Sequence, residues 1–172
     1  MKKFSLVLLV LLGSVSLLQA YEGDVIKVGD HAPSFTGTDS DGKPVSLDSL
    51  KRKVVLVDFF ATWCGPCMEE MPHIQSEVWD NYKSAGLVVI GIGREHQIPE
   101  MAQFKQDKQL GFTILADPQR EIYSKYATMY IPRCYLIDKE GIVRFASVGY
   151  DTDEFAKMKA LIASELQKSG TP

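Results

Sequence analysis

The stretch "KVVLVDFFATWCGPCMEEMP", residues 53–72, decides the fold of this chain. Its first nine residues, 53–61, are an almost continuous β-branched and aromatic run, which is typical of a strand buried on both faces. Beyond the strand, apolar residues recur at spacings of four, three and four, which predicts a helix that reaches about Lys83. These residues are Cys67, Met71, Ile74 and Val78. Cys64 and Cys67 therefore lie where a buried strand meets the first turn of a helix.

The rest of the chain alternates strand and helix patterns. A Gly- and Asp-rich turn at 40–43 lies between short alternating segments and predicts an N-terminal β-hairpin. Apolar runs predict further strands at 86–93, 112–117, 133–138 and 142–149, and amphipathic patterns predict helices at 98–110, 118–127 and 151–168. This order predicts one three-layer α/β domain with a central mixed sheet.

The first 20 residues differ from the remainder. Lys2 and Lys3 precede an apolar segment, 5–20, that ends at Ala20, which is the layout of a secretory signal peptide. The alternative is an uncleaved membrane anchor, although the apolar run is shorter than the roughly 20 residues that span a bilayer. We expect a signal peptide at 1–20 and a folded domain at 21–172, located in the periplasm or otherwise exported.

Composition excludes one class of partner. The 172 residues carry a net charge of −3, and cleavage after residue 20 would remove two lysines and no acid, leaving −5. A mildly acidic chain without a basic stripe does not indicate nucleic-acid binding.

Three interpretations of the Cys64–Cys67 pair compete. A zinc site needs two further ligands, and the three histidines stand apart in the sequence. A structural disulfide across so short a loop would constrain the unfolded chain little. The third interpretation is redox chemistry, because unpaired N–H groups at a helix N-terminus favour the thiolate that attacks disulfides. We therefore predict Cys64 as the exposed nucleophile and Cys67 as the resolving cysteine.

The residues around the pair suit this chemistry. Gly65 lets the chain turn and a partner backbone approach, and Pro66 presets the helical φ angle. Trp63 offers an apolar platform beside the thiol, although it could equally be core packing. Asp58 lies in an apolar strand where a solitary carboxylate is costly, so it is a candidate proton acceptor for Cys67.

Together these motifs resemble the thioredoxin superfamily, over about residues 29–168. Asp58 matches a buried acid of that family, Pro72 a helix-kinking proline, and "YIPRCYLID" (130–138) the loop that carries a cis-proline opposite the dithiol. The resemblance implies a thioredoxin-like α/β/α fold in which Pro132 is cis and Ile131 contacts the partner protein.

The chain is most similar to the TlpA/ResA-like exported branch, which shares the "GDHAPSF" opening (29–35), the N-terminal hairpin, a central helix-strand insertion and the "YLIDKEGIV" ending (135–143). This implies a thiol-disulfide oxidoreductase that reduces protein disulfides, in some members those of apocytochrome c, with electrons from a membrane donor. The resemblance implies no cofactor and no metal beyond the redox disulfide, and we expect a monomer. Glu70 matches an acidic residue near the active site of ResA-like proteins.

Three positions stay open as candidates for tuning the pair. Glu70 could be a solvated helix residue instead. Cys134 shares a strand face with Pro132, so it is either a buried unreactive thiol or a third redox participant. Arg133 could place a charge near the thiolate, contact a partner, or be solvated.

Two other functions compete with the reductant. The "GDHAPSF" opening is shared with peroxiredoxins, which suggests a thiol peroxidase, but their characteristic arrangement of proline and threonine before the reactive cysteine is absent from "DFFATW". A chaperone or binding module that uses the dithiol only incidentally is the other alternative.

Overall fold

The structure is a computed structural model, and it describes residues 20–168. The predicted signal peptide lies outside these residues except for Ala20, and so do the last four residues of the predicted domain. Among the residues described, no helix is both long and apolar enough to cross a membrane.

A seven-stranded mixed sheet forms the centre of the domain, in the order β2-β1-β5-β4-β3-β6-β7. The strands are β1 (Thr36–Asp39), β2 (Pro44–Ser46), β3 (Val55–Phe60), β4 (Val88–Arg94), β5 (Thr113–Asp117), β6 (Arg133–Ile137) and β7 (Val143–Val148). The central three, β5, β4 and β3, run parallel, and the outer pairings are antiparallel. β1 and β2 form the predicted hairpin, and β3 is buried along its whole length, as predicted.

The helices are α1 (Gly65–His73), α2 (Asp80–Tyr82), α3 (Ile98–Asp107) and α4 (Thr152–Gln167). α1 and α2 are joined by a π-helical segment at Ile74–Trp79, so helical backbone continues until Gly86, whose φ of 95° ends it. The regular pattern gives way immediately after Pro72, which lies inside α1 and cannot donate a backbone hydrogen bond.

Each face of the sheet buries its own apolar cluster. α1, α3 and α4 cover one face, which contains both cysteines of the pair and Cys134. The other face is covered by the N-terminal segment and by short 3₁₀ turns, with Phe59, Tyr126 and Tyr135 at its centre. The predicted thioredoxin-like three-layer fold is confirmed, with α3 and β5 as the central helix-strand insertion.

The prediction of a helix over residues 118–127 is wrong. Only a 3₁₀ turn, Tyr123–Lys125, forms there, and Arg120 takes a left-handed φ of 57°. The reason is Asp117, whose carboxylate accepts hydrogen bonds from the backbone N–H groups of Ile122 and Tyr123. An aspartate that bonds nearby N–H groups in this way competes with the helical pattern.

Candidate active site

A disulfide joins Cys64 and Cys67 at the N-terminus of α1. Cys64 is the N-cap residue, and its Sγ accepts a hydrogen bond from the backbone N–H of Cys67 at 3.3 Å. Pro66 occupies the first turn, where its missing N–H costs nothing. The N–H groups and the helix dipole at this end would stabilise a Cys64 thiolate once the disulfide is reduced.

Both cysteines of the pair are buried, and Cys67 is more completely buried than Cys64. Cys64 retains 7% of its surface and Cys67 retains 1%, so the predicted order is observed although Cys64 is more covered than expected. Trp63 is 62% exposed, which excludes the core-packing interpretation of this side chain. Gly65 is also exposed, has no positive φ, and a Cβ placed on it would meet no atom within 4 Å.

The loop before β6 lies against the disulfide. The Ile131–Pro132 peptide bond is cis, as predicted, and the carbonyl oxygen of Ile131 lies 3.7 Å from Cys64 Sγ. Pro132 is buried, whereas the preceding Met129 and Tyr130 are 37% and 52% exposed. The disulfide therefore lies between two exposed apolar loops, one with Trp63 and the other with Tyr130.

Two residues at the carboxyl end of β4 support the Trp63 loop: Arg94, the last residue of the strand, and His96, two residues further on. His96 is buried, and its Nε2 accepts a hydrogen bond from the backbone N–H of Thr62 at 3.0 Å. The guanidinium of Arg94 lies between two rings, 5.6 Å from Trp63 and 5.0 Å from Tyr123. The parallel pairing of β3 with β4 brings the carboxyl ends of these strands together, which places Arg94 and His96 beside the Trp63 loop.

Three titratable groups share one buried site on the sheet face that also contains the disulfide. Asp58 on β3 and Cys134 on β6 are directly opposite in the antiparallel register, and Glu70 lies one helical turn after Cys67. All three are at most 3% exposed. Cys134 Sγ is 3.6 Å from Asp58 Oδ1 and 3.4 Å from Glu70 Oε1. The solvated interpretation of Glu70 is therefore wrong.

Burial dominates the ionisation of this cluster. It raises the pKa of Asp58 to about 7, against which the hydrogen bond from Cys134 acts. Burial, together with repulsion from Asp58, raises the pKa of Glu70 to about 9. It also raises the pKa of the Cys134 thiol well above its ordinary value, so this thiol stays protonated and is a poor nucleophile.

Arg133 does not point towards the cysteine pair. Its side chain lies on the other face of the sheet, 1% exposed, in an ion pair with Asp24. Its guanidinium also donates to the carbonyl oxygens of Met129 and Glu22. The solvated and partner-contact interpretations are wrong because the group is buried, and strand alternation places it opposite Cys134.

The side chains of this cluster are of types that can bind metal ions. Within residues 20–168, Asp58, Glu70 and Cys134 are the group of three whose ligand atoms lie close together, all within 4.8 Å of one another. Structural zinc sites usually have four ligands, and no fourth belongs to this group.

The fold and the cysteine pair at the start of α1 define a thioredoxin-like thiol-disulfide oxidoreductase. Residues 28–146 match the AhpC/TSA family, and the chain belongs to that family. The thiol-disulfide oxidoreductase ResA of Bacillus cereus is 34% identical over 153 residues, which cover 87% of this chain and 88% of the relative.

Solved structures are similar over most of the chain. The solution structure of a candidate protein disulfide isomerase from Bacteroides thetaiotaomicron is 36% identical with a TM-score of 0.81, covering 85% of this chain and 94% of its own. A thiol:disulfide interchange protein of the thioredoxin family from Chlorobium tepidum is 30% identical with a TM-score of 0.70, covering 80% and 97%.

Proposed function

We propose that the protein is an exported reductant of protein disulfides. The observation that carries this proposal is the Cys64–Cys67 disulfide at the start of α1, set between the exposed Trp63 and Tyr130 loops. In the reduced protein the Cys64 thiolate attacks a partner disulfide and forms a mixed disulfide, with release of one partner thiolate. Cys67 then attacks Cys64 Sγ, which restores the internal disulfide and releases the second thiolate.

The remaining residues take supporting roles. Asp58 accepts the Cys67 proton during resolution, because a carboxyl with a pKa near 7 exchanges protons readily at neutral pH. Glu70 tunes that exchange through its repulsion with Asp58. The partner chain lies along an open surface formed by Trp63, Gly65, Pro66, Ile131 and Pro132. Gly65 leaves room for it, since no atom of residues 20–168 occupies the space where its Cβ would lie.

The cellular setting is part of the proposal. Residues 1–20 direct export, and the domain acts as a monomer that receives electrons from a membrane donor. Cytochrome c maturation is the process that the resemblance to the TlpA/ResA-like branch implies for some of its members. A dithiol outside the cytosol needs such a supply because its surroundings oxidise thiols.

The reduction potential of the Cys64–Cys67 couple tests the direction of electron flow. A value near that of thioredoxin, about −270 mV, supports the reductant, whereas a value near about −120 mV indicates a disulfide-forming oxidant and contradicts the proposal. Cys64→Ser should abolish exchange with a protein disulfide, and Cys67→Ser should stop the reaction at the mixed disulfide.

Peroxide turnover separates this function from that of a thiol peroxidase. The exposed apolar loops beside the disulfide, and the absence of the peroxiredoxin arrangement of proline and threonine before Cys64, favour disulfide exchange. Peroxide consumption that is lost in Cys64→Ser and exceeds the rate of disulfide exchange would favour the peroxidase instead. If Cys64→Ser/Cys67→Ser kept its cellular role, the chaperone function would replace both.

A further inference from the structure

The cluster of Asp58, Glu70 and Cys134 contains more contacts than one hydrogen can satisfy. Cys134 Sγ lies within hydrogen-bonding distance of both carboxyl groups. A thiol has one hydrogen to donate and a sulfur that accepts weakly. If its S–H donates to one carboxylate, the other carboxyl group must be protonated and donate to sulfur, because a second carboxylate there would repel it.

The charges in the cluster also require that one of the two carboxyl groups is protonated. Among residues 20–168, Asp58 and Glu70 have no ion-pair partner, and two adjacent carboxylates in an apolar site cannot both ionise cheaply. Glu70 Oε2 is buried and makes no hydrogen bond with any described residue. Burial raises the pKa of Tyr150, with smaller contributions from the charges of Glu77 and Glu70, and Cys67 lies one turn before Glu70 on α1. Protons must therefore supply the neutralisation.

The donor and acceptor can be assigned. Glu70 Oε2 is buried without a hydrogen bond to any described residue, and an ionised carboxylate would leave that oxygen uncompensated, so Glu70 is the neutral partner and donates to Cys134 Sγ. Cys134 S–H then donates to Asp58, and this bond holds the pKa of Asp58 lower than burial alone would. The result is a directed chain from Glu70 through sulfur to Asp58.

We propose that Cys134 is a positioning residue whose thiol links Glu70 to Asp58, so that the two carboxyl groups take up and return the Cys67 proton as one unit. This rests on the proposed function. In the resolving step the Cys67 thiol gives its proton to the Asp58 carboxylate, and its electron pair forms the bond to Cys64 Sγ. The partner sulfur leaves with the electron pair of the mixed disulfide. Cys134 neither gains nor loses electrons.

The S–H stretching band of the oxidised protein tests this link without any substitution. Of three cysteines, Cys64 and Cys67 are joined, so Cys134 supplies the single S–H group. We expect one band at the low frequency of a hydrogen-bonded thiol, moving further as Asp58 ionises between about pH 5 and pH 9. Cys134→Ser should remove the band, which assigns it. A band at the frequency of a free thiol that does not move with pH would overturn the proposal.

The pH dependence of the resolving step provides a second test of the link. In Cys134→Ala the midpoint of the pH profile for the resolving step should rise by about one pH unit, because Asp58 loses a hydrogen bond to its charged form. Cys134→Ser keeps a donor and should return the midpoint to that of the parent. Equal shifts in both variants, or none in Cys134→Ala, would contradict the link.

The S–H band and the kinetics distinguish a failure of this proposal from a failure of the proposed function. If the parent protein performs no disulfide exchange, the proposed function fails, while the S–H band still decides whether the link exists. If purified protein instead contains stoichiometric metal and shows no S–H band, the cluster is a metal site and the proposal is overturned.

Discussion

Neighbouring residues on β6 bury polar groups on opposite faces of one sheet, with contrasting surroundings. On one face, Arg133 is matched by the carboxylate of Asp24 and by two backbone carbonyl oxygens. On the other face, Cys134 meets two acids that have no cation beside them among residues 20–168. The first arrangement is complete and needs nothing more from solvent. The second is incomplete unless it holds protons, and this is the face that contains the cysteine pair.

The largest expected effect comes from removing a carboxylate of the incomplete cluster. Asp58→Asn should raise the free energy of unfolding by on the order of 4 kcal/mol at pH 9, because the folded pKa of about 7 exceeds the ordinary 3.8. Folded Asp58 holds its proton more tightly than unfolded Asp58. Its contribution to stability is therefore fully present below pH 3.8 and is lost as pH rises towards about 7.

Denaturant unfolding of the oxidised protein across pH measures this. The parent should lose stability from about pH 4 to about pH 9, because Glu70 contributes in the same direction as Asp58 up to its pKa of about 9, and the variant should lose less. Resolution of a mixed disulfide should slow by about 10²-fold in Asp58→Asn. The matched control is Asp117→Asn. Asp117 is also buried, but its carboxylate accepts hydrogen bonds from two backbone N–H groups. This substitution should therefore lower the free energy of unfolding. A gain of stability in Asp117→Asn would break the comparison.

On the sheet face that contains Arg133, removing the charged group should lower the free energy of unfolding instead of raising it. Arg133→Met should lower the free energy of unfolding by about 3 kcal/mol, because Asp24 and two carbonyl groups lose their cation. Exchange per folded molecule should stay unchanged, since the guanidinium is on the far face. Arg120→Met, which breaks an exposed contact with Glu95, should cost under about 1 kcal/mol. An altered reduction potential in Arg133→Met would show that the two faces are electrostatically coupled.

A smaller loss is expected at the Trp63 loop. His96→Leu leaves the Thr62 N–H without its acceptor and should cost about 1 kcal/mol. Increased mobility of Trp63, measured by fluorescence anisotropy, should accompany it. His73→Leu is the control, because that ring is 45% exposed and its described contacts are with Glu77, Tyr150 and Phe155. Unchanged anisotropy in His96→Leu would argue that Arg94 alone holds the tryptophan.

The smallest effect on stability concerns Gly65. Gly65→Ala should add at most about 0.5 kcal/mol, since the φ angle suits alanine and the new methyl group meets no atom. Exchange with a protein disulfide should nevertheless slow more than exchange with a small disulfide, because the methyl group occupies space that the partner backbone needs. Equal slowing for both substrates would place the effect on the cysteines instead.

Much of this arrangement could be predicted from local pattern. The β3 run and the apolar spacing of α1 fix the strand, the helix and the cysteine pair between them, because these features depend on neighbours along the chain. Strand alternation also placed Cys134 on the face of the active site.

The features that the sequence pattern did not predict depend on contacts that the local pattern does not show, several of them with residues far away in the chain. Asp24 is 109 residues from Arg133, so nothing near "PRCYL" indicates that the arginine would be neutralised and buried. The failure of the 118–127 helix depends on one carboxylate at the end of β5, and amphipathic periodicity does not register such competition. Glu70 looked like its solvated neighbour Glu69 because both lie on one helix, and only the packing of α1 on the sheet distinguishes them.

The position of Cys134 also bears on how the chain acquires its disulfide during oxidative folding. Three cysteines allow three pairings, and the unfolded chain closes the short Cys64–Cys67 loop far more readily than the loop to Cys134. Once the domain has folded, Cys134 is enclosed and its thiol stays protonated, so it cannot scramble the pair. A third cysteine can therefore be present under oxidising conditions without exchanging with the Cys64–Cys67 disulfide.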